Sequence, residues 1–152
     1  RYGIGHFGDN FSLTFIYVNS SGTSHTAQCA FAAMLGAAAD GMYDFVDNMR
    51  EYGHRAARVK DAFRANGFHL VYDKDLDEDV SDGFFFTVGY PGKTGSELLL
   101  GLLRCGVCAI TLTSTRSTRE GIRVCVSLMK SEDDFVRLER GLERFRDLYG
   151  TA

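Results

Sequence analysis

The chain has 152 residues, of which 45% are hydrophobic and 24% are charged, and its formal net charge is −3 at pH 7. These values are typical of a compact globular protein and exclude disordered, collagen-like and membrane-spanning chains. The slight acidity also argues against nucleic acid as a partner, because proteins of that class present a basic surface. We therefore expect a globular protein that binds neither nucleic acid nor membranes.

The cysteines and the first residues indicate the compartment. Free thiols commonly behave as small buried hydrophobes, and apolar or small residues surround Cys29, Cys105, Cys108 and Cys125. No apolar run approaches the ~20 residues that span a bilayer, and the beginning of the chain lacks the apolar core of a signal peptide. These features predict a reducing, cytoplasmic location. We also expect the chain to be part of a longer protein, since it begins without methionine in a loop that enters a strand.

The first third of the chain predicts a strand and then a helix. Residues 11–18 are rich in aromatic and β-branched residues, which favour a strand that closes in the polar run 19–22. Alanine and larger apolar residues then recur at helical spacing from Thr26 to Ala38. A hydroxyl residue before this helix can cap it, and Asp40-Gly41 ends it.

The next apolar series predicts one long helix over 42–66, with a left-handed end at Asn66-Gly67. One buried stripe is expected on this helix, formed by Met42, Phe45, Val46, Met49, Tyr52, Ala56, Val59 and Phe63. A short strand over 68–72, an acidic solvated loop over 73–82 and a second strand over 84–90 follow.

The last third predicts a helix over 96–104, strands over 108–113 and 122–128, and a final helix over 131–149. This order indicates an α+β fold, a two-layer α/β sandwich in which helices cover a small, mostly antiparallel sheet of about four strands. The long helix precedes that sandwich. We place the domain boundary between residues 40 and 41, which gives segments 1–40 and 41–152.

Four short motifs resemble binding sites, but each lacks an essential part. Gly3–Gly8 fits G-x-G-x-x-G without a preceding strand, and Gly92-Lys93-Thr94 lacks the first glycine of a phosphate loop, because Thr87 stands at that position. Asp73-x-Asp75-x-Asp77 lacks the glycine and the final glutamate of a calcium loop, and Cys105-x-x-Cys108 follows a helix rather than starting one. The histidines are also scattered. No metal site is predicted, and the turn, loop or cap interpretation is favoured for each motif.

Arg123 is the strongest candidate for a functional residue. In a strand over 122–128 the apolar side chains point to one face, and Arg123 points to the other with Cys125 and Ser127. A guanidinium on a rigid strand can bind a carboxylate through two parallel hydrogen bonds. An exposed arginine that pairs with a neighbouring carboxylate of the protein is an equally good interpretation of the pattern alone.

Several segments, in their order and spacing, resemble the terminal region of class I and II pyridoxal-phosphate-dependent aminotransferases of the aspartate aminotransferase fold type. The resemblance covers nearly the whole chain. Its segments are the Tyr17-Val18-Asn19-Ser20-Ser21-Gly22 run, the long helix with Arg50, Tyr52 and Arg55, the Gly95-Ser96-Glu97-Leu98-Leu99 run, the Leu103–Val107 run and the Gly121–Leu128 run.

This resemblance implies a C-terminal small domain that follows an interdomain helix and a larger N-terminal domain. The implied activity moves an amino group between an amino acid and a 2-oxo acid, with pyridoxal phosphate as cofactor. By motif position Arg123 binds the substrate α-carboxylate, and Asn19 lies near the cofactor phosphate of the partner subunit in a homodimer.

The sequence departs from the family in three places. Ser20-Ser21 replaces two prolines, and Thr113–Arg116 replaces a proline-glycine turn. The imine-forming lysine also has no counterpart in motif context among Lys60, Lys74, Lys93 and Lys130. Catalysis by these residues alone is therefore not expected. Two alternatives remain: a lyase or acyltransferase of the same fold type, and a free-standing, non-catalytic module that binds small carboxylates.

Overall fold

The structure is a computed structural model that describes residues 6–80 and 83–150. Backbone contacts divide the chain into two compact units, Arg1–Phe45 and Val46–Ala152. This boundary lies five residues after the one placed on the sequence. Within the described residues, no helix combines the length and the apolar character that a bilayer crossing requires.

Residues 7–20 are helical throughout, so the strand predicted over residues 11–18 is wrong. The run consists of α1 (Phe7–Asn10), a π-helical segment (Phe11–Ile16) and α2 (Tyr17–Ser20). Ser21 adopts a left-handed conformation with φ 55° and ends the helical run.

Contacts between residues four positions apart explain this helix. The rings of Phe7, Phe11 and Phe15 stack in succession, with centroid distances of 5.8 and 5.7 Å. Asn19 and Ser20 donate side-chain hydrogen bonds of 2.6 Å to the carbonyls four residues earlier. Aromatic and β-branched content favours strands only weakly, whereas a spacing of four aligns side chains on one side of a helix.

Helix α3 (His25–Ala39) confirms the prediction to within one residue at each end. Its N-cap is Ser24, whose hydroxyl accepts a hydrogen bond from the backbone N–H of Ala27. None of its side chains is buried, and Phe31 and Leu35 are 58% and 47% exposed. From the resemblance to one part of a larger enzyme, we expect this helix and part of the long helix to expose apolar area, and α3 does so.

Helix α4 (Phe45–Ala65) carries its buried stripe only over its second half. There Ala56, Val59 and Phe63 are buried. Gly67, with φ +87°, ends the helix in the predicted left-handed conformation. The first half of the predicted stripe is wrong, because its large apolar residues are exposed: Met42, which precedes the helix, Phe45, Val46 and Met49.

In the part of the chain that the structure describes, six short strands form two antiparallel sheets. They are β1 (His69–Leu70), β2 (Lys74–Asp75), β3 (Glu78–Asp79), β4 (Phe85–Gly89), β5 (Ile110–Thr111) and β6 (Ile122–Cys125). The larger sheet has the order β1-β4-β6-β5, and its register pairs Thr87 with Arg123 and Arg123 with Ile110. The site residue Arg123 therefore lies on an interior strand of this sheet.

Strands β2 and β3 form a separate hairpin where the sequence predicts a loop over residues 73–82. Lys74 pairs with Asp79 across the hairpin, and their charged groups are 3.4 Å apart. Opposite charges at paired positions stabilise an antiparallel ladder. The loop prediction is thus wrong for residues 74–79, and residues 81–82 lie outside the described part of the chain.

Two further helices, α5 (Gly95–Arg104) and α6 (Glu132–Tyr149), confirm the predicted helices. The strand predicted over 108–113 is shorter than expected, because a 3-10 helix (Leu112–Thr115) replaces its end. Both α-helices begin with a capping box. In α6 the caps are Ser131 and Asp134, which satisfy each other's backbone N–H groups.

Helices α4, α5 and α6 pack against one face of the four-stranded sheet. Phe86, Val88 and Ile122 point toward these helices and are buried, whereas Phe85 and Thr87 on the opposite face are only partly buried. This arrangement confirms the predicted two-layer α/β sandwich with an antiparallel sheet. The face away from the helices carries Arg123.

The capping box of α6 leads to a prediction about pH. Hydrogen bonds from Ser131 and Lys130 hold the pKa of Asp134 below its usual value. Such a carboxylate stabilises the fold above its unfolded pKa of about 4, and this contribution is lost as the pH falls through the folded pKa. We expect Asp134→Asn to be less stable than the parent at neutral pH and to approach it in acid.

Urea unfolding between pH 7 and about pH 2 measures this difference, because that range spans the unfolded carboxyl pKa. The control is Asp133→Asn, which removes a charge from the same helical turn but not from the capping box. A stability difference for Asp134→Asn that stays constant across the range would contradict the prediction.

Candidate functional site

Arg123 occupies the sheet face that the sequence predicts. Ile122 and Val126 are buried on the helix side, while Arg123 is half-buried and Cys125 is exposed. The alternation fails at Leu128, which is predicted to be buried and is 79% exposed. The strand ends at Cys125, and the chain turns so that the N–H of Met129 donates to the carbonyl of Val126.

An aromatic ring orients the Arg123 side chain. Its guanidinium carbon lies 4.4 Å from the centre of the Phe85 ring, which is the geometry of a cation–π contact. Phe85 belongs to the neighbouring strand β4, two residues before Thr87, the direct cross-strand partner of Arg123. Within the described residues, no carboxylate forms an ion pair or hydrogen bond with the guanidinium. Its N–H groups are therefore available to an external acceptor.

The Arg123 cleft, as we call it, opens beside this side chain and has a volume of about 470 Å³. Strand β5 pairs with β6 only through residues 110–111, so the chain segments 106–109 and 124–125 line the cleft without pairing across it. The walls are mainly apolar and include Val59, Phe63, Val107, Ile110, Val124 and Leu138. Ligand sites commonly have this size and combine apolar walls with a few polar groups.

A second arginine lines the Arg123 cleft, but its charge is balanced. One guanidinium nitrogen of Arg137 lies 3.5 Å from the carboxylate of Asp134, which also lines the cleft. The Arg137 side chain is 74% exposed, so solvent weakens its field inside the cleft. Arg123 is consequently the cation that is best placed to bind an anion here.

The two thiols of the Cys105-x-x-Cys108 motif lie in different surroundings. Cys105 is buried in the core, and Cys108 is exposed on the wall of the Arg123 cleft. Gly106 between them has φ +84° and ends helix α5. The favoured interpretation, a helix cap between two free thiols, is confirmed. Cys125 lines the same cleft, and its sulfur lies 3.0 Å from the Ser127 hydroxyl oxygen.

The structure places Asn19 on a helix rather than in a loop. Its amide donates to the carbonyl of Phe15, and its side chain is exposed. The Tyr17–Gly22 segment, which resembles the family's early loop, is helical up to Ser20. Asn19 belongs to the Arg1–Phe45 unit, whereas Arg123 belongs to the Val46–Ala152 unit.

The Gly92-Lys93-Thr94 motif leads into the start of helix α5, where the protein's own carboxylates occupy the donors. Glu97 accepts hydrogen bonds from the backbone N–H and the hydroxyl of Thr94, each 2.8 Å long. Glu120 accepts a 2.6 Å bond from the N–H of Gly95. An external phosphate would have to displace both carboxylates, which supports the turn interpretation.

The Asp73-x-Asp75-x-Asp77 motif lies partly in a hairpin. Asp75 lies in the β2–β3 hairpin, and in the part of the chain that the structure describes no three His, Cys, Asp or Glu side chains are grouped closely enough to bind a metal. The glycine motif at residues 3–8 lies largely outside the described residues.

The lysines do not provide a pyridoxal phosphate site beside Arg123. All four lysines are described, and none lines the Arg123 cleft. Lys93 lies over the Tyr149 ring, and Lys74 pairs with Asp79. Among the described residues, Asp134 is the one carboxylate on the cleft wall, and it is engaged in the capping box. The residues of the cleft therefore do not fit the cofactor.

Sequence reasoning missed Phe85 as a site residue, although a signal for it was present. Phe84, Phe85 and Phe86 are consecutive in the strand predicted over 84–90, so alternation must turn one or more of these rings away from the core. A large aromatic ring on the open face marks a surface that meets a cation or a ligand.

Comparison with models of protein families gives no match to this chain, and comparison with curated proteins gives none.

Proposed function

We propose that the chain is the C-terminal small domain of a pyridoxal-phosphate-dependent aminotransferase and that Arg123 binds the α-carboxylate of the substrate. The observation that supports this proposal most directly is the position of Arg123: it lines a cleft and its guanidinium lies over the Phe85 ring. Among the described residues it also has no carboxylate partner. The α+β sandwich agrees with the fold that the sequence resemblance implies. The proposed reaction moves an amino group between an amino acid and a 2-oxo acid.

The arginine's part in this reaction is binding and orientation. A planar guanidinium donates two parallel N–H bonds to a carboxylate, which fixes the direction of the bound acid as well as its position. Contact with the Phe85 ring limits the number of rotamers that Arg123 can adopt, so less side-chain entropy is lost on binding. The substrate's reacting carbon is thereby held at a constant distance from β6.

In this proposal other parts of the enzyme bind the cofactor. The imine-forming lysine and the aspartate for the pyridine nitrogen lie outside these 152 residues, in the large domain. The enzyme is a homodimer, as the resemblance implies, and Asn19 approaches the cofactor phosphate of the partner subunit. These points depend on the sequence resemblance, whereas the proposed cytoplasmic location depends on the free cysteines and the apolar runs of the sequence.

Replacing Arg123 tests the proposal in the complete enzyme. Arg123→Ala removes the charged hydrogen bonds to the substrate carboxylate, which contribute about 1.5–3 kcal/mol. We therefore expect the KM for the amino acid to rise about 10- to 100-fold in this variant. Arg123→Lys keeps the charge but loses the paired geometry, so we expect partial recovery. Arg137→Ala, on the same cleft but paired with Asp134, is the matched control. An unchanged KM in Arg123→Ala would remove the binding role.

One observation supports a second candidate, a free-standing module that binds small carboxylates without catalysis. All residues that line the Arg123 cleft belong to the Val46–Ala152 unit, so the site needs no other part of the chain. Spectroscopy of the full-length protein separates the candidates. An aminotransferase converts pyridoxal phosphate to its amine form when an amino acid is added, whereas a lyase or acyltransferase of the same fold type does not complete this conversion. A simple binding module carries no cofactor.

A further inference from the structure

The walls of the Arg123 cleft restrict which acids fit it. Beyond the guanidinium, a bound acid meets Ile110, which shares the sheet face of Arg123, and the partly buried Val107 and Leu138 of the cleft wall. A hydrocarbon chain placed there leaves water, and each buried methylene favours binding by about 0.8 kcal/mol. The cleft volume of about 470 Å³ is sufficient for a side chain of several carbons.

A second carboxylate on the ligand has no equally good place. Among the residues that the structure describes, Arg137 is the one other arginine of the cleft, and it already faces Asp134 at 3.5 Å; that carboxylate lines the cleft too. A second anionic group would therefore meet either apolar side chains or the negative charge of Asp134. Transfer of an unpaired charge to such surroundings is costly, and like charges repel.

We infer that the Arg123 cleft selects acids with one carboxylate and an apolar side chain and discriminates against dicarboxylates. The substrates of the proposed transamination are then apolar amino acids and the corresponding 2-oxo acids. This inference depends on the proposed function, because it assigns the substrate class to the same arginine. It adds that Ile110 and its apolar neighbours determine specificity.

Binding of a graded series of 2-oxo acids to the 152-residue chain tests the inference, with NMR shifts of the backbone amides that line the Arg123 cleft as the readout, because these signals are also present in variants of Arg123. The probes are pyruvate, 2-oxobutanoate, 2-oxopentanoate and 4-methyl-2-oxopentanoate, together with 2-oxoglutarate. We expect the Kd to fall about threefold to fourfold with each added methylene. 2-Oxoglutarate is expected to bind no more tightly than pyruvate.

Ile110→Thr provides the matching variant. Ile110 is 44% exposed and lies on an edge strand, so a β-branched threonine preserves the strand while making the wall polar. The dependence of Kd on chain length should become shallower in Ile110→Thr, whereas Leu128→Thr, an exposed position outside the cleft lining, should leave it unchanged.

The outcomes separate this inference from the proposed function. Arg123-dependent binding that is equal for all chain lengths, or tightest for 2-oxoglutarate, overturns the inference and leaves the carboxylate role intact. Binding that Arg123→Ala does not weaken, or the absence of binding by every acid at millimolar concentration, overturns both. A graded affinity that Arg123→Ala abolishes and Ile110→Thr flattens supports both.

Discussion

Replacement of Phe63 by alanine is expected to lower the free energy of unfolding by about 3–5 kcal/mol, the usual cost of removing a large aromatic side chain from a core. Phe63 is 1% exposed and packs edge-to-face against Phe68 at 5.0 Å and Phe86 at 6.1 Å between ring centres. It therefore joins α4 to the sheet, and its ring also lines the Arg123 cleft. The lost ring removes both buried area and two aromatic contacts.

Equilibrium unfolding in urea measures this loss. Phe31→Ala is the matched control, because it removes the same ring from a helix where the side chain is 58% exposed. The control should change the stability by less than about 1 kcal/mol, as is usual for surface substitutions. Equal losses in the two variants would show that the aromatic core around Phe63 does not stabilise the fold as proposed.

Where local signals and tertiary packing agree, the fold follows from the sequence. Helices α5 and α6 lie where predicted, because hydroxyl caps at Thr94 and Ser131 precede an apolar series with helical spacing. The antiparallel sheet follows because strands β4 and β6 alternate between core and open face. The end of α4 at Gly67 follows from the left-handed conformation that glycine adopts most easily.

The errors occur where a single local signal decided the prediction. The aromatic content of residues 11–18 favoured a strand, but the spacing of four between Phe7, Phe11 and Phe15 matches the observed helix. Apolar periodicity predicted that the buried stripe of the long helix begins at Met42. Periodicity shows which side chains share a helix face, but it does not show whether another part of the protein covers that face. The large apolar side chains on that part of the face, Met42, Phe45, Val46 and Met49, are exposed.

For the candidate site, the sequence predicted the direction of Arg123 but not its surroundings. Alternation along β6 is a property of one segment and can be read directly. The contact with Phe85 depends on the register between β4 and β6, and the pairing of Arg137 with Asp134 depends on the course of α6. The Phe85 contact and the Arg137–Asp134 pair together make Arg123 the arginine of the cleft that can bind an anion. Neither contact can be predicted from the residue spacing within one segment.

Gly121, immediately before β6, connects the stability of the sheet to the position of Arg123. It has φ +144°, a conformation that residues with a side chain rarely adopt. A Cβ atom added there would lie 2.6 Å from the carbonyl oxygen of Val88 and 3.1 Å from the Leu112 side chain. The backbone oxygen cannot move without disturbing the pairing of β4 with β6, so Gly121→Ala must shift the start of β6.

We expect Gly121→Ala to cost about 1–3 kcal/mol for backbone strain and about 1–3 kcal/mol more for overpacking. It should also weaken carboxylate binding through Arg123, two residues away, even at temperatures where the variant remains folded. Gly106→Ala separates the two contributions, because Gly106 also has a positive φ, +84°, but nothing within 4 Å of the added Cβ. Gly106→Ala is therefore expected to cost backbone strain alone. Gly106 precedes β5 and lines the other wall of the cleft. If both variants lose equal stability in urea unfolding and retain equal 2-oxo acid affinity, the close approach at Gly121 does not position Arg123.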